Sequence, residues 1–384
     1  MQLSEIIPST GQQFPTTKEE DWQFTDISFL KKINWRMPLQ PTVSSKLTLD
    51  PQHLAIVDGA LSQHTWSEDL QIATDTNFVI ADSDRTYFTD LNLSQQPHSI
   101  VITIPDHYRS HQPLFIDYGV TVEWGLVQPR LVINIGRASE IVLVELFDGQ
   151  ANTYLTNSLL RINLHESAKL QHIRCQKEAL TANHIATTII EQDANSNYRA
   201  VMLDLGAKLA RHHPIIYSQA EGTNTELLGL AIINQDRLID THSSISHLYP
   251  HSTSRQLHKA IISDRAQGVF NGRIFVSKRA QQTDSAQLSR TLLLSPQAKI
   301  NTKPQLEIIA DNVKCKHGAT VSQLDPEQQF YLESRGISTQ MAKTLLTYSF
   351  ALEVLAGITD PSLYEQMAGQ VKNALQSLHT IARG

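Results

Sequence analysis

The chain has 384 residues, of which 41% are hydrophobic and 18% charged, with a formal net charge of −6. A charged fraction below the roughly one quarter of typical globular chains suits many short strands better than a charge-laced helical bundle, and no basic domain stands out, which argues against nucleic-acid binding. Two cysteines, Cys175 and Cys315, exclude a disulfide scaffold, point to a reducing, cytoplasmic compartment, and are too few for a self-contained four-thiolate cluster site.

The opening stretch MQLSEIIPSTGQQ has neither a basic n-region nor an apolar h-region, so no signal peptide is expected. Apolar runs such as 227–233 fall well short of the ~20 residues of a membrane span. Residues 1–90 read as a mixed N-terminal region of helical or loop character. Within it, Thr16 followed by Glu19, Glu20 and Asp21 is able to open a helix.

The pattern changes over 91–325. Segments 98–104, 130–135 and 140–146 are short, β-branched and partly alternating, as strands should be, and 159–164, 170–174, 200–205, 228–233, 268–276 and 306–309 repeat the theme. Several enter through a turn, an alanine, a polar residue and an aliphatic one. The copies are Ser167-Ala168-Lys169-Leu170, Gly206-Ala207-Lys208-Leu209, Gln297-Ala298-Lys299-Ile300 and, with one extra residue, Arg137-Ala138-Ser139-Glu140-Ile141. Strand–turn units without intervening helices favour a β-solenoid or a sandwich over an α/β sheet, and the pattern alone does not separate the two.

The period changes again at 326–384, a C-terminal helical domain expected to form a terminal unit. Asp325 and Pro326 supply an N-cap and a first-turn proline, Gln328 is placed to bond back, and the helix should end near Arg335-Gly336. A second helix after Ser338 carries a stripe of Met341, Leu345, Tyr348, Leu352 and Leu355. A third, opened by Asp360-Pro361, carries Leu363, Met367, Val371, Leu375 and Leu378 on one face.

No phosphate loop, nucleophile elbow or His-Glu-x-x-His helix occurs, and no catalytic residue is assigned. His242, His247, His251 and His258 crowd one stretch, but their spacings fit no ligand motif; they read first as surface or core histidines, with His247 a minor candidate. Cys315 and His317 are two apart, so in a strand they share a face opposite Lys314 and Lys316. Thiol and imidazole there would make two of the four ligands of an iron or cluster site, leaving positions for a second chain; the competing reading is a structural cysteine beside a surface histidine. Cys175, on one strand face with Ile173 and opposite His172 and Arg174, reads as core.

The stretches Gly268-Val-Phe-Asn-Gly272, Ala280-Gln-Gln-Thr-Asp, Pro304-Gln-Leu-Glu-Ile308, Val313-Lys-Cys-Lys-His-Gly-Ala-Thr320 and Phe330-Tyr-Leu-Glu-Ser-Arg-Gly-Ile337 resemble, in the same order, the shared core of the SufB/SufD family of iron–sulfur cluster assembly proteins. Near the N-terminus, Pro15-Thr-Thr-Lys-Glu-Glu-Asp-Trp22 is similar to the family's SufD entry motif. SufB chains carry an N-terminal cysteine-rich segment and a His-Glu-Ala-Thr core motif. Here no cysteine precedes Cys175 and the motif reads His317-Gly318-Ala319-Thr320, which places the resemblance on the SufD side.

The resemblance implies a mainly β protein, a right-handed parallel β-helix flanked by N- and C-terminal helical regions. It further implies a non-enzymatic scaffold that pairs with SufB through the β-helix, with a homodimer as the alternative resting state, and docks the SufC ATPase on the C-terminal helical domain. It assigns His317, with Cys315 beside it, to a transient iron–sulfur cluster at the SufB–SufD interface, with no cofactor held stably by the chain alone and a reduced flavin raised for the complex. The rival reading is a β-helix carbohydrate-active enzyme, for which Asp240, Asp264 and Asp284 would have to gather in one cleft.

Overall fold

The recurrent turns form the corners of a parallel β-solenoid. The computed structural model describes residues 2, 3, 12–38, 52–95 and 98–380, so most of the stretch read for a signal peptide lies outside the described residues. At one corner, successive coils place a left-handed residue before a small buried one: Ala138-Ser139, Ser167-Ala168, Asn195-Ser196, Gly222-Thr223, His251-Ser252 and Gln282-Thr283. Each left-handed residue donates its N–H one coil onward, from Ala138 to the Glu166 carbonyl through to Gln282 and the Asn312 carbonyl. A non-glycine residue costs about 1 kcal/mol or more in this conformation, and the repeated hydrogen bond offsets it. The extra residue in the Ala138 copy is thereby explained, because Ser139 occupies the place that Ala168 takes in the next coil. Ala207 belongs to a second corner row with Gln235 and Asp264.

Two sheets of ten strands make the walls. Strands pair in parallel along the whole body, and antiparallel strands occur among the described residues only at the N-terminal end. There, Ala60–His64 covers His53–Val57 and Gln71–Asp75 covers Ser99–Ile104. His53–Val57 already pairs in parallel with Leu114–Gly119, so a solenoid strand arises inside the region read as mixed. At the C-terminal end the last strands, Lys299–Ile308 and Lys314–Ser322, pair on one side only. The interior is apolar in the early coils, where Ile102, Leu131, Ile133, Leu143 and Ile162 pack together.

Both outer faces are covered. Trp22, Leu30 and Trp35 lie with helix α1 (Tyr87–Gln95) over Leu126, Leu155, Ile185 and Leu209 of one sheet. The helix expected after Thr16 is a single 3-10 turn, Glu20–Trp22. Tertiary contacts override the local signal: Trp22 stacks on the Arg211 guanidinium and Thr25 donates to Asp240. Three C-terminal helices follow the last coil: α2 (Pro326–Ser334), α3 (Thr339–Leu355) and α4 (Pro361–Thr380). Asp325 and Ser338 accept from the Glu327 and Met341 N–H groups as N-caps, and Gly336 takes φ +84° after α2.

Helices α3 and α4 lie along the outer face of the second sheet, packing Val354, Leu355, Leu363, Met367, Val371, Leu375 and Leu378 on Ile173, Val201, Leu230 and Ile261. The face read for α4 is the buried one. The stripe read for α3 holds at Tyr348, Leu352 and Leu355, which pack on the sheet, and needs correction at Met341 and Leu345, which are exposed; the buried line runs through Ala342, Thr347, Ala351, Val354 and Leu355. Just past the helix the chain comes close to the sheet: a Cβ on Gly357 would stand 2.3 Å from Leu228 Cδ1. Lys259, buried on the sheet's outer face, donates to the Phe350 carbonyl and to Glu353, which Arg290 also reaches at 3.0 Å.

Candidate functional site

Strand parity and ladder register aim Cys315 and His317 into the solenoid at its uncovered end. Tyr198, Thr225, Ser254, Ser285 and Cys315 are successive ladder partners, as are Ala200, Leu227, Gln256, Gln287 and His317. Tyr198, Ala200, Leu227 and Cys315 all belong to or pack against the interior cluster, so both columns face the lumen. Cys315 is half-buried, His317 exposed at the mouth, and Ser285 and Gln287 beneath them are buried. The spacing argument that put thiol and imidazole on one face therefore agrees with the fold. Burial raises the Cys315 thiol, opposed by a hydrogen bond from the Ser285 backbone.

His247 lies elsewhere in the lumen, on the opposite sheet, fully buried. Its Nε2 is 2.9 Å from Ser254 Oγ, which is 2.6 Å from Ser285 Oγ, the ladder partner of Cys315. Burial lowers its pKa to about 4, so the ring is neutral. The four crowded histidines do not converge. His242 sits on the outer face between Arg211 and Asp21, His251 on an exposed corner, and His258 in the lumen stacked on Phe270. Cys175 is fully buried under α3 and α4, its thiol pushed up to about 12. The three carboxylates of the carbohydrate-enzyme reading are also apart: Asp240 is buried against Arg211, Asp264 holds a corner, and Asp284 pairs with Arg255.

The sequence reading missed a charged network inside the solenoid. Glu145 accepts from Tyr118 at 2.6 Å and lies 2.8 Å from His172 Nε2, while Arg174 donates to Asp204 at 2.7 Å. Glu178 accepts from Thr156 and pairs with His184 at 2.7 Å. Burial raises the Glu145 carboxyl, but His172, Tyr118 and Arg174 outweigh it and the net shift is downward. The available signal was polar residues at strand positions that should face a core, and it needs the register to be read. Among the described residues, no three His, Cys, Asp or Glu side chains converge as metal ligands. No described helix is long and apolar enough to cross a membrane.

The match with known proteins covers the same ground. Residues 119–350 fit the family model of the SUF system FeS cluster assembly SufBD core domain. An iron–sulfur cluster assembly SufBD family protein of Synechocystis sp. is 35% identical across 91% of this chain and 85% of its own length. The iron–sulfur cluster assembly protein SufD of Escherichia coli is 31% identical across 94% of this chain and 89% of its own. The chloroplastic protein ABCI7 of Arabidopsis thaliana is 32% identical across 94% and 83%. With the solenoid core and nearly the full length matched, the chain belongs to the SufBD family of iron–sulfur cluster assembly proteins.

Proposed function

We propose that this chain is a non-enzymatic scaffold subunit of the SUF assembly complex, pairing with SufB through the uncovered solenoid end and docking SufC on its C-terminal helices. The observation that carries the reading is the uncovered end itself. Two edge strands with free backbone donors and acceptors, flanked by exposed Leu288, Ile308, Ile309 and Val321, surround the Cys315–His317 mouth. Lys299, Lys303, Pro304, Lys314 and Lys316 on these strands discourage indiscriminate edge pairing, so the open pair suits one matched second solenoid. A homodimer through the same edge is the resting state when SufB is absent.

The iron–sulfur cluster is cargo here, assembled transiently across the interface, with His317 and Cys315 facing donors from SufB. The chain alone keeps no cofactor, and a reduced flavin belongs to the assembled complex. ATP falls to SufC, consistent with the missing phosphate loop. Exposed Phe330, Tyr331, Met341 and Leu345 on α2 and α3 form the surface that suits it. Two free thiols fit a reducing, cytoplasmic setting.

The test is complementation of a strain dependent on this pathway by His317→Ala, with SufB and SufC co-purification checked in parallel. Intact assembly with cluster formation lost is the expected outcome. Full activity of His317→Ala in an intact complex would falsify the mouth as the assembly site.

A further inference from the structure

We infer that Gln287 is a positioning residue for His317, accepting one imidazole N–H and thereby fixing which ring nitrogen presents its lone pair at the mouth. The inference rests on the reading of the mouth given above and deepens it. Gln287 is 2% exposed, and its Nε2 donates to Gln256 Oε1 at 2.8 Å, whose own Nε2 donates to Ser243 Oγ at 2.6 Å. This chain of amides is polarised in one direction and ends on Gln287 Oε1, a buried acceptor with no partner. A buried carbonyl oxygen left so costs about 1–3 kcal/mol unless something bonds to it.

The next residue along the column is His317, the direct ladder partner of Gln287. Neighbouring strands lie about 4.8 Å apart, so side-chain rotation alone brings the ring to the amide. Space for the amide is provided from the opposite wall by Gly272, where a Cβ would stand 2.2 Å from Gln287 Nε2. A histidine that donates one N–H to a fixed carbonyl offers the other nitrogen, unprotonated and oriented, to a metal or an approaching thiol. The amide ladder thus sets the tautomer of the one imidazole at the mouth.

The experiment uses the full chain with 15N-labelled histidine, in neutral solution above the ordinary imidazole pKa. Two-bond proton–nitrogen correlations read the tautomer of each ring, with His317 assigned by its loss in His317→Ala and exposed His251 as the unbiased reference. In the wild type one His317 tautomer should exceed the His251 ratio by about fivefold, the size of one ordinary hydrogen bond. Gln287→Met should return His317 to the His251 ratio. Gln287→Glu keeps an acceptor, since the Gln256 amide can turn to donate to it, and should retain the bias. An unchanged ratio in Gln287→Met, or loss of the bias in Gln287→Glu, overturns the inference. Because the tautomer is read without cluster assembly, it separates the two readings. Loss of the bias in Gln287→Met beside full activity of His317→Ala would remove the assembly site but keep the positioning contact, and the reverse pattern would remove only the contact.

Discussion

Arg174 and Asp204 face each other inside the solenoid, guanidinium to carboxylate at 2.7 Å, with 1% and 6% of their side chains exposed. They come from adjacent strands, Lys169–Gln176 and Asn197–Asp204, so the pair bridges two coils. Arg174 also contacts His184 from the opposite sheet and stacks on Phe147. Removing the carboxylate strands a buried cation. Asp204→Ala should therefore cost about 3–5 kcal/mol in chemical denaturation, whereas Arg174→Met with Asp204→Leu together should recover much of that loss.

Acid should unfold the protein through its buried histidines. Burial lowers His247 and His258 to about 4 and His213 to about 3, below the ordinary value of 6.5. The folded state keeps these rings neutral while the unfolded chain protonates them, so the unfolded state binds more protons between pH 6.5 and 4. Stability is full above pH 6.5 and falls as the pH drops through that window, by about 1.4 kcal/mol per pH unit for each ring. Denaturation midpoints across the window check the slope, and His258→Gln should flatten it by close to one proton.

The two thiols should separate cleanly by reactivity. Cys175 is fully buried with its pKa pushed up to about 12, while Cys315 is half-buried at the mouth. One equivalent of a maleimide should be taken up under native conditions, lost in Cys315→Ala, and the second only after denaturation. The same placement predicts a colourless chain when purified anaerobically alone; stoichiometric iron and sulfide with visible absorption bands would contradict it.

Partner docking on α2 and α3 is best tested by point changes. The helices were read from the sequence as a terminal unit, yet α3 and α4 cover a broad apolar face of the sheet, so truncation at Asp325 would expose that face and confound binding with aggregation. Phe330→Glu with Tyr331→Glu alters side chains that are 71% and 57% exposed. Stability should stay within about 0.5 kcal/mol while calorimetric SufC binding disappears.

Legibility in the sequence followed the chemistry of what each segment faces. Strand Arg130–Ile135 announces itself because its inward positions are aliphatic, and Glu140–Phe147 does so through Ile141 and Leu143, although Glu145 also points inward. Strand Leu238–His247 does not, since Thr241, Ser243 and His247 point into a polar stretch of lumen and erase the alternation. Helix starts were readable from Asp325 and Ser338 because capping is local. The buried line of α3 was not, because it runs through the small Ala342, Thr347 and Ala351, while the larger Met341 and Leu345 that draw the eye stay exposed. At the mouth, spacing alone paired Cys315 with His317. Their inward direction, and Gln287 beneath, required the ladder register.

Strand Asp284–Leu293 bears Gln287 on its lumen side and Arg290 on its outer side, where Arg290 reaches Glu353 of α3. It is held between two parallel neighbours and has no glycine or proline at which to bend. Through Lys259 and Arg290, Glu353 of α3 also grips strand Thr253–Ile262, so one carboxylate clasps two neighbouring coils whose lumen sides carry Gln256 and Gln287.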